Sequence, residues 1–177
     1  MLKKIAIAIV VLLAALLGYA ALQPDTFHVE RSAMVSAGPE RILPLVGDFH
    51  RWEAWSPWEK LDPQMKRTFT GAPNGPGAVY EWSGNSTAGA GRMEIVSANA
   101  SAVAIKLDFL EPFASSNTTS CALRPSSAGT QIVWSMDGPM PYLSKLMCVF
   151  ISMDRLIGKD FETGLVQLKA AAEKPEA

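Results

Sequence analysis

The sequence predicts an α+β protein in which a curved antiparallel β-sheet surrounds a long C-terminal helix, with one further apolar helix at the N-terminus. Three observations lead to this fold class. An uncharged apolar run occupies residues 5–22. Short alternating segments, separated by glycine and proline turns, fill residues 26–136 and are typical of antiparallel strands on short connections. Apolar residues then recur at steps of three and four from residue 142 to about 172, which predicts one long amphipathic helix.

The N-terminal segment, residues 1–24, is predicted to be a transmembrane anchor. Lys3 and Lys4 precede the uncharged run, whose length nearly matches a hydrocarbon layer of about 30 Å. Because basic residues stay on the cytoplasmic side, we expect the remainder of the chain on the extracytoplasmic (periplasmic) side. A cleaved signal peptide is the alternative, since Gly18, Tyr19 and Ala20 resemble a cleavage site. In that case the domain would be secreted or periplasmic.

Residues 25–177 are expected to form one domain. A first strand is predicted at residues 27–35. Pro39 and Glu40 then begin a short helix, because proline suits the first helical position and an acid near it complements the helix dipole. Pro44 is expected to interrupt this helix, and the tryptophan-rich stretch forms a second short helix or turn. Six more strands are predicted near residues 66–70, 78–83, 92–96, 103–109, 117–123 and 131–136.

Composition excludes several classes of partner. The 16 basic and 17 acidic residues nearly cancel and form no block of like charge, which argues against a nucleic-acid partner. We interpret Cys121 and Cys148 as free thiols, with a disulfide as the alternative in an exported protein. Neither cysteine has ligand-like spacing around it, so we predict no metal site and no cofactor.

The order of these segments resembles the START-like superfamily with its helix-grip fold, and specifically the bacterial SRPBCC (polyketide cyclase/dehydrase-like) proteins. The resemblance covers about residues 27–169. It implies two short helices after the first strand and a cavity between the sheet and the C-terminal helix. The family includes lipid and hormone carriers, cyclases and protein-binding modules, so it implies no single function. The segments that carry the resemblance are Pro39-Glu40, residues 48–58, Gly75-Pro76-Gly77, Gly89 and Gly91, residues 129–134 and residues 158–165.

Alternation along each strand predicts which side chains face that cavity. An apolar cavity of this kind would take a hydrophobic small molecule or lipid. The recurring methionines favour it, because flexible thioethers accommodate varied apolar ligands. A dry, filled core is the alternative. The predicted lining residues are Tyr80, Trp82, Met93, Ile95, Ile105, Leu107, Ile132, Trp134, Met136, Met153 and Ile157.

The tryptophans of the stretch WEAWSPW are predicted to plug one end of the cavity. Trp52, Trp55 and Trp58 recur at steps of three, so a helical turn would place them on one face. Direct contact with a ligand and a membrane-facing aromatic rim are alternatives. Gly158 and Gly164 lie inside the predicted C-terminal helix at a cost of about 1 kcal/mol each. They indicate close approach of the helix to the sheet or to a bound molecule.

No catalytic constellation is evident, so we predict no catalytic residues. His28 and His50 lie outside the strands expected to line the cavity, and no hydrolase, phosphate-binding or dinucleotide-binding motif occurs. Glu81 should point outward, and we interpret Asp137, Asp154 and Asp160 as surface acids. Three hypotheses remain: an anchored extracytoplasmic carrier or sensor of an apolar molecule, a polyketide cyclase/dehydrase-like enzyme, and a protein-interaction module with a filled core.

Overall fold

A computed structural model describes residues 1–175 of the chain. Four α-helices, seven strands and two short 3-10 helices, Phe49–Ala54 and Pro57–Lys60, make up its regular structure. The helices are α1 (Leu2–Ala21), α2 (Pro39–Val46), α3 (Tyr142–Cys148) and α4 (Met153–Ala172). The strands are β1 (Thr26–Val35), β2 (Lys66–Gly71), β3 (Ala78–Ser83), β4 (Ala90–Asn99), β5 (Ala102–Glu111), β6 (Ser115–Ser126) and β7 (Gly129–Pro139).

All seven strands form one antiparallel sheet in the order β1-β7-β6-β5-β4-β3-β2. Chain neighbours pair through short turns, and β1 closes the order by pairing with β7, where Val29 lies opposite Met136. α4 packs over β1, and the ring of its Phe161 stacks on that of Trp134 with centroids 4.0 Å apart. The predicted α+β helix-grip fold is confirmed.

One half of the space between sheet and helices is solidly packed. α2 packs against β5 and β6, and the first 3-10 helix packs against α2 and β3. Their side chains Ile42, Val46 and Phe49 are buried in this region. Trp55 is fully buried beside them, and its indole N–H donates to the Leu45 carbonyl at 2.9 Å. This packed half lies away from the end of the sheet at which β1 begins.

Two sequence expectations about helices are wrong. Pro44 lies inside α2 without ending it, since the helix continues to Val46. The tail is two helices rather than one: α3 ends at Cys148, and Ser152 caps a new helix by accepting a hydrogen bond from the Arg155 backbone N–H. Consequently Phe150, which a single helix over residues 142–172 would place on the buried apolar stripe, is 74% exposed.

The N-terminal helix α1 is long and apolar enough to cross a membrane, judged by its length and composition. Most of its side chains are exposed, but Ala20 is fully buried. α1 packs against α3 near its C-terminal end, where the Tyr142 hydroxyl donates to the Leu17 carbonyl at 3.0 Å. The helix is therefore joined to the domain by tertiary contacts as well as by the chain.

Both helical glycines approach the sheet, as one of the two sequence interpretations required. A side chain at Gly158 would meet the guanidinium of Arg31 on β1. A Cβ at Gly164 would lie 2.7 Å from the Trp134 ring and 3.3 Å from Pro57. α4 can thus lie close to β1 and β7 at these two points. The wider gap between the helix and the sheet lies over the other strands.

Candidate ligand-binding cavity

A cavity of about 530 Å³ lies between α4 and the sheet, on the side of β3, β4 and β5. This volume falls within the usual range for small-molecule sites, roughly 300–1,000 Å³. Its walls come from the second 3-10 helix, from alternate residues of the strands and from the first half of α4. The apolar lining residues are Trp52, Trp58, Leu61, Met65, Tyr80, Trp82, Met93, Leu107, Phe109, Trp134, Met136 and Ile157.

The structure brings together most, but not all, of the side chains predicted to line the cavity. Those that line it are Tyr80, Trp82, Met93, Leu107, Trp134, Met136 and Ile157. Ile95, Ile105 and Ile132 do not line it, because they are fully buried in the packed half. Met153, the first residue of α4, is half-buried but does not line the cavity.

The three tryptophans of the WEAWSPW stretch have different positions. Trp52 and Trp58 line the cavity, whereas Trp55 lies behind it in the packed half. The stretch is broken between two 3-10 helices, so the rings do not share one helical face. The rings of Trp55 and Trp58 instead converge on Trp134, with centroid distances of 5.3 and 5.6 Å.

A polar cluster in the cavity wall escaped the sequence analysis. The Tyr80 hydroxyl donates to one carboxylate oxygen of Glu59 at 2.7 Å, and Arg67 Nε donates to the other at 2.7 Å. Arg67 also donates to the Glu59 carbonyl at 2.8 Å. Burial, and then the hydrogen bond to Glu59, raise the pKa of Tyr80 well above its usual range. The phenol therefore stays neutral and donates a hydrogen bond to Glu59.

A second polar contact fixes the opposite wall. The Trp134 indole N–H donates to the Thr119 hydroxyl at 2.9 Å, and that hydroxyl donates to the Ser135 carbonyl at 2.7 Å. Within residues 1–175 no buried side-chain nitrogen or oxygen lacks a hydrogen-bond partner. The buried polar atoms of the cavity wall are thus already hydrogen-bonded, and a guest meets mainly apolar surface.

The cavity opens at one end of the sheet. Exposed lining residues mark this mouth: Thr87 from the β3–β4 turn, Glu111 and Pro112 from the β5–β6 turn, and Leu61 after the second 3-10 helix. Ile157 and Asp160 of α4 complete the rim. Asp160 was interpreted as a surface acid, and its half-buried position at the rim is intermediate between surface and interior.

The other candidate polar residues lie outside the cavity. His28 bonds Asp137 on the exposed side of β1, and His50 bonds Asp48 while stacking on Phe69. Glu81 is exposed, as its alternation with Tyr80 and Trp82 predicted. Cys121 and Cys148 are free thiols. Over the described residues, no group of three or more His, Cys, Asp or Glu side chains is arranged to hold a metal ion.

Comparison with known protein families identifies this architecture. The family described as "Polyketide cyclase / dehydrase and lipid transport" matches residues 26–173. The chain belongs to this family. Membership supports a ligand-binding SRPBCC domain, in agreement with the cavity, while the family's description covers both enzymes and lipid transport. A search of curated proteins gave no significant match.

Solved structures show the same fold at low sequence identity. Protein CV1439 from Chromobacterium violaceum is 16% identical, with a TM-score of 0.57 over 86% of this chain and 100% of its own. The di-domain ARO/CYC StfQ from the steffimycin biosynthetic pathway is 15% identical, with a TM-score of 0.61 over 84% of this chain and 51% of its own. The di-domain ARO/CYC BexL from the BE-7585A biosynthetic pathway is 12% identical, with a TM-score of 0.62 over 90% of this chain and 54% of its own.

Proposed function

We propose that the protein is a membrane-anchored binding protein for a hydrophobic small molecule or lipid, which it holds in the cavity between α4 and the sheet. The observation that carries this proposal is an apolar cavity of about 530 Å³, in whose wall no buried side-chain nitrogen or oxygen of the described residues lacks a hydrogen-bond partner. A guest with few polar groups loses little by entering such a site, because neither partner leaves a hydrogen bond unmade. The cavity also argues against a pure protein-interaction module, which was expected to have a filled core.

We further propose that residues 1–24 form an uncleaved anchor and that the domain lies on the extracytoplasmic side. The contact of α1 with α3 supports the anchor over a cleaved signal peptide, because Ala20 at the candidate cleavage site is buried in it. Lys3 and Lys4 support the orientation, since cytoplasmic flanks are enriched in basic residues. Intact-mass measurement of the membrane-extracted protein tests the first point. Labelling of a Val166→Cys variant, in a Cys148→Ser background, in cells with an impermeant maleimide tests the second.

Binding is tested with the full chain in lipid nanodiscs and a pyrene-labelled fatty acid as probe, together with solvent extraction and mass spectrometry of copurified lipid. Met136→Trp places an indole in the cavity, and Val96→Trp places the same indole on the exposed side of β4. We expect the wild type and Val96→Trp to bind the probe, and Met136→Trp to bind at least about tenfold more weakly. Equal binding by both variants, or no binding by the wild type of any lipid or aromatic probe, would contradict the proposal.

A polyketide cyclase/dehydrase-like enzyme is the second candidate. It is favoured by the Glu59–Tyr80–Arg67 cluster, which places an acid and a phenol in the cavity wall, and by fold similarity to two ARO/CYC proteins. The distinguishing assay uses a polyketide mimic with the wild type, Tyr80→Phe and Glu59→Gln. Turnover that either substitution abolishes, while probe affinity stays within about twofold, would promote the enzyme over the carrier.

A further inference from the structure

An exposed apolar surface surrounds the short helix α3. Residues 1–175 contain thirteen large apolar side chains beyond Leu22 that are exposed, and six of them lie between residues 142 and 156. These six are Tyr142, Leu143, Met147, Phe150, Ile151 and Leu156. Soluble surfaces seldom group large apolar side chains in this way, so the patch indicates a partner.

The part of the patch that precedes α4 carries no unpaired charge. Between Pro141 and Met153 the one charged residue is Lys145. Lys145 is buried, and its ammonium lies 2.5 Å from a carboxylate oxygen of Asp25, the residue immediately before β1. That hydrogen bond lowers the pKa of Asp25. The ion pair ties α3 to the junction between α1 and the sheet and neutralises the one charge of this segment.

The position of α3 relative to α1 identifies the partner. Tyr142 bonds the carbonyl of Leu17, which lies one turn before the end of α1. A twenty-residue helix is about 30 Å long, the thickness of the hydrocarbon layer. When α1 spans a bilayer, Tyr142 therefore lies at the depth where tyrosine is enriched, the membrane–water boundary. Whatever surrounds the last turn of α1 also surrounds α3.

The mouth of the cavity lies at the same end of the molecule. Antiparallel pairing places the start of β1 beside the end of β7. The β5–β6 turn and the β3–β4 turn lie at this same end of the sheet. Both turns line the mouth. Leu110 and Phe113 flank the β5–β6 turn and are 59% and 66% exposed. α3 in turn leads into the part of α4 that completes the rim.

We infer that the surface formed by α3, residues 149–152 and the β5–β6 turn is embedded in the head-group and acyl-chain boundary of the bilayer that holds α1. The cavity mouth then opens against lipid, and an apolar guest enters from the membrane without crossing water. The entry of a guest from the membrane rests on the proposed binding function. The embedding of the surface in the bilayer does not depend on that function. The continuity of the patch with α1 favours a bilayer over a second copy of the chain or a protein partner.

The embedding is tested with full-length protein in nanodiscs of phosphatidylethanolamine and phosphatidylglycerol. In a Cys148→Ser background, single cysteines at Phe113, Phe150, Val96 and Val166 carry a bimane label; all four native side chains are exposed. The remaining native thiol, Cys121, is fully buried, and burial raises its pKa to about 12, so it does not react. Val96 and Val166 lie away from the patch and serve as matched controls.

We expect phospholipids with brominated acyl chains to quench the labels at positions 113 and 150 by about twofold or more, and the controls by much less. Equal quenching at all four positions would overturn the inference. A second result would also overturn it: the protein dimerises, and the labels at 113 and 150 are shielded from water but are not quenched by lipid. A second copy of the chain would then cover the patch.

Exchange of the pyrene-labelled fatty acid from phosphatidylcholine vesicles links the surface to the cavity. Phe113→Asp together with Phe150→Asp is expected to slow exchange about tenfold while equilibrium affinity changes by less than about twofold. Val166→Asp is the control and should leave both unchanged. If the wild type binds no probe, the proposed function fails while the quenching result still decides the embedding. If it binds the probe, and neither quenching nor exchange responds, the inference alone fails.

Discussion

The packed half and the hollow half of the domain are built from the same strands. Inward-facing residues only two positions apart on one strand belong to different halves. On β4, Ile95 is sealed in the core, whereas Met93 lines the cavity; on β5, Ile105 and Leu107 differ in the same way. Each pair is two residues apart, or about 7 Å along a strand, on the same face of the sheet. The face is therefore common to both halves, and the element that covers it decides whether the space is filled.

What covers the two halves is different. α2 and the first 3-10 helix place Ile42, Val46 and Phe49 on the packed half. The hollow half is covered by the second 3-10 helix and the beginning of α4, whose glycines let the helix approach only β1 and β7. One sheet can thus provide both a stable core and a binding site, provided that different helices cover its two halves.

Truncation should show the largest difference between the halves. We expect Ile105→Ala to lower the free energy of unfolding by about 3–5 kcal/mol, because its side chain leaves a new void in a packed region. Leu107→Ala should cost only about 1–2 kcal/mol, because part of the Leu107 surface already faces empty space. Chemical denaturation of both variants in nanodiscs checks this. Equal losses would mean that the halves are equally packed.

Enlargement should reverse the order of the two sites. Ile105→Phe is expected to cost about 1–3 kcal/mol through overpacking, while Leu107→Phe fills part of the cavity and leaves the free energy of unfolding within about 0.5 kcal/mol of the wild type. Leu107→Phe should also weaken binding of the fatty-acid probe, whereas Ile105→Phe should not. Denaturation and a probe titration on each variant measure these effects. A strongly destabilised Leu107→Phe would show that the cavity has collapsed.

The two helical glycines provide a sharper comparison within α4. Gly164→Ala is expected to cost about 1–2 kcal/mol, because its methyl group would meet the Trp134 ring and Pro57, which cannot easily move. Gly158→Ala would displace the far end of the Arg31 side chain and weaken its exposed ion pairs, but it would also gain helix propensity, so we expect a net change within about 0.5 kcal/mol. Thermal denaturation compares the two. Equal destabilisation would argue that α4 is held as rigidly over β1 as over β7.

Polar contacts at the two ends of α4 should give the smallest effect. Arg31 hydrogen-bonds Asp154 and Glu162, and the bonds to Asp154 lower the pKa of that carboxyl. Because the folded pKa lies below the unfolded value of about 3.9, the contact stabilises the fold above that pH and is lost as the pH falls through the folded pKa. We expect Asp154→Asn to lower Tm slightly at pH 7 and to match the wild type near pH 2. A constant Tm difference across this range would contradict the assignment.

At the other end of α4, Glu173 accepts a hydrogen bond from the Ser36 N–H at 2.6 Å, which lowers the pKa of Glu173. Lys169 donates to the Met34 carbonyl at 2.9 Å. These contacts lie over the packed half, where apolar packing already holds the helix. We therefore expect Lys169→Met to change Tm less than Asp154→Asn does, measured side by side at pH 7.

The sheet could be predicted from sequence because alternation and turn residues are local signals. β3 was predicted with its observed limits, and Glu81 was assigned to the outer face. Alternation also assigned Ile95 and Ile105 to the inner face, but it could not distinguish them from Met93 and Leu107, because their difference depends on which helix lies above. The break between α3 and α4 was missed because the apolar spacing continues across Val149–Ser152 although Phe150 points outward.

The polar cluster had only an indirect signal in the sequence. Glu59 and Tyr80 are 21 residues apart, and their contact depends on where the second 3-10 helix lies. An inward-facing tyrosine does require a hydrogen-bond partner for its hydroxyl. That requirement could have prompted a search for a buried acid, although it could not have chosen Glu59 among the acidic residues.

Only four residues, Leu22 to Asp25, separate α1 from the first strand. Fully extended, they span about 14 Å, and the docking of α3 on α1 shortens even that reach. With the proposed anchor in the membrane and the proposed guest in the cavity, the domain could not carry that guest across a wide compartment. Delivery to a distant membrane would require a second, diffusing protein to collect the guest at this surface.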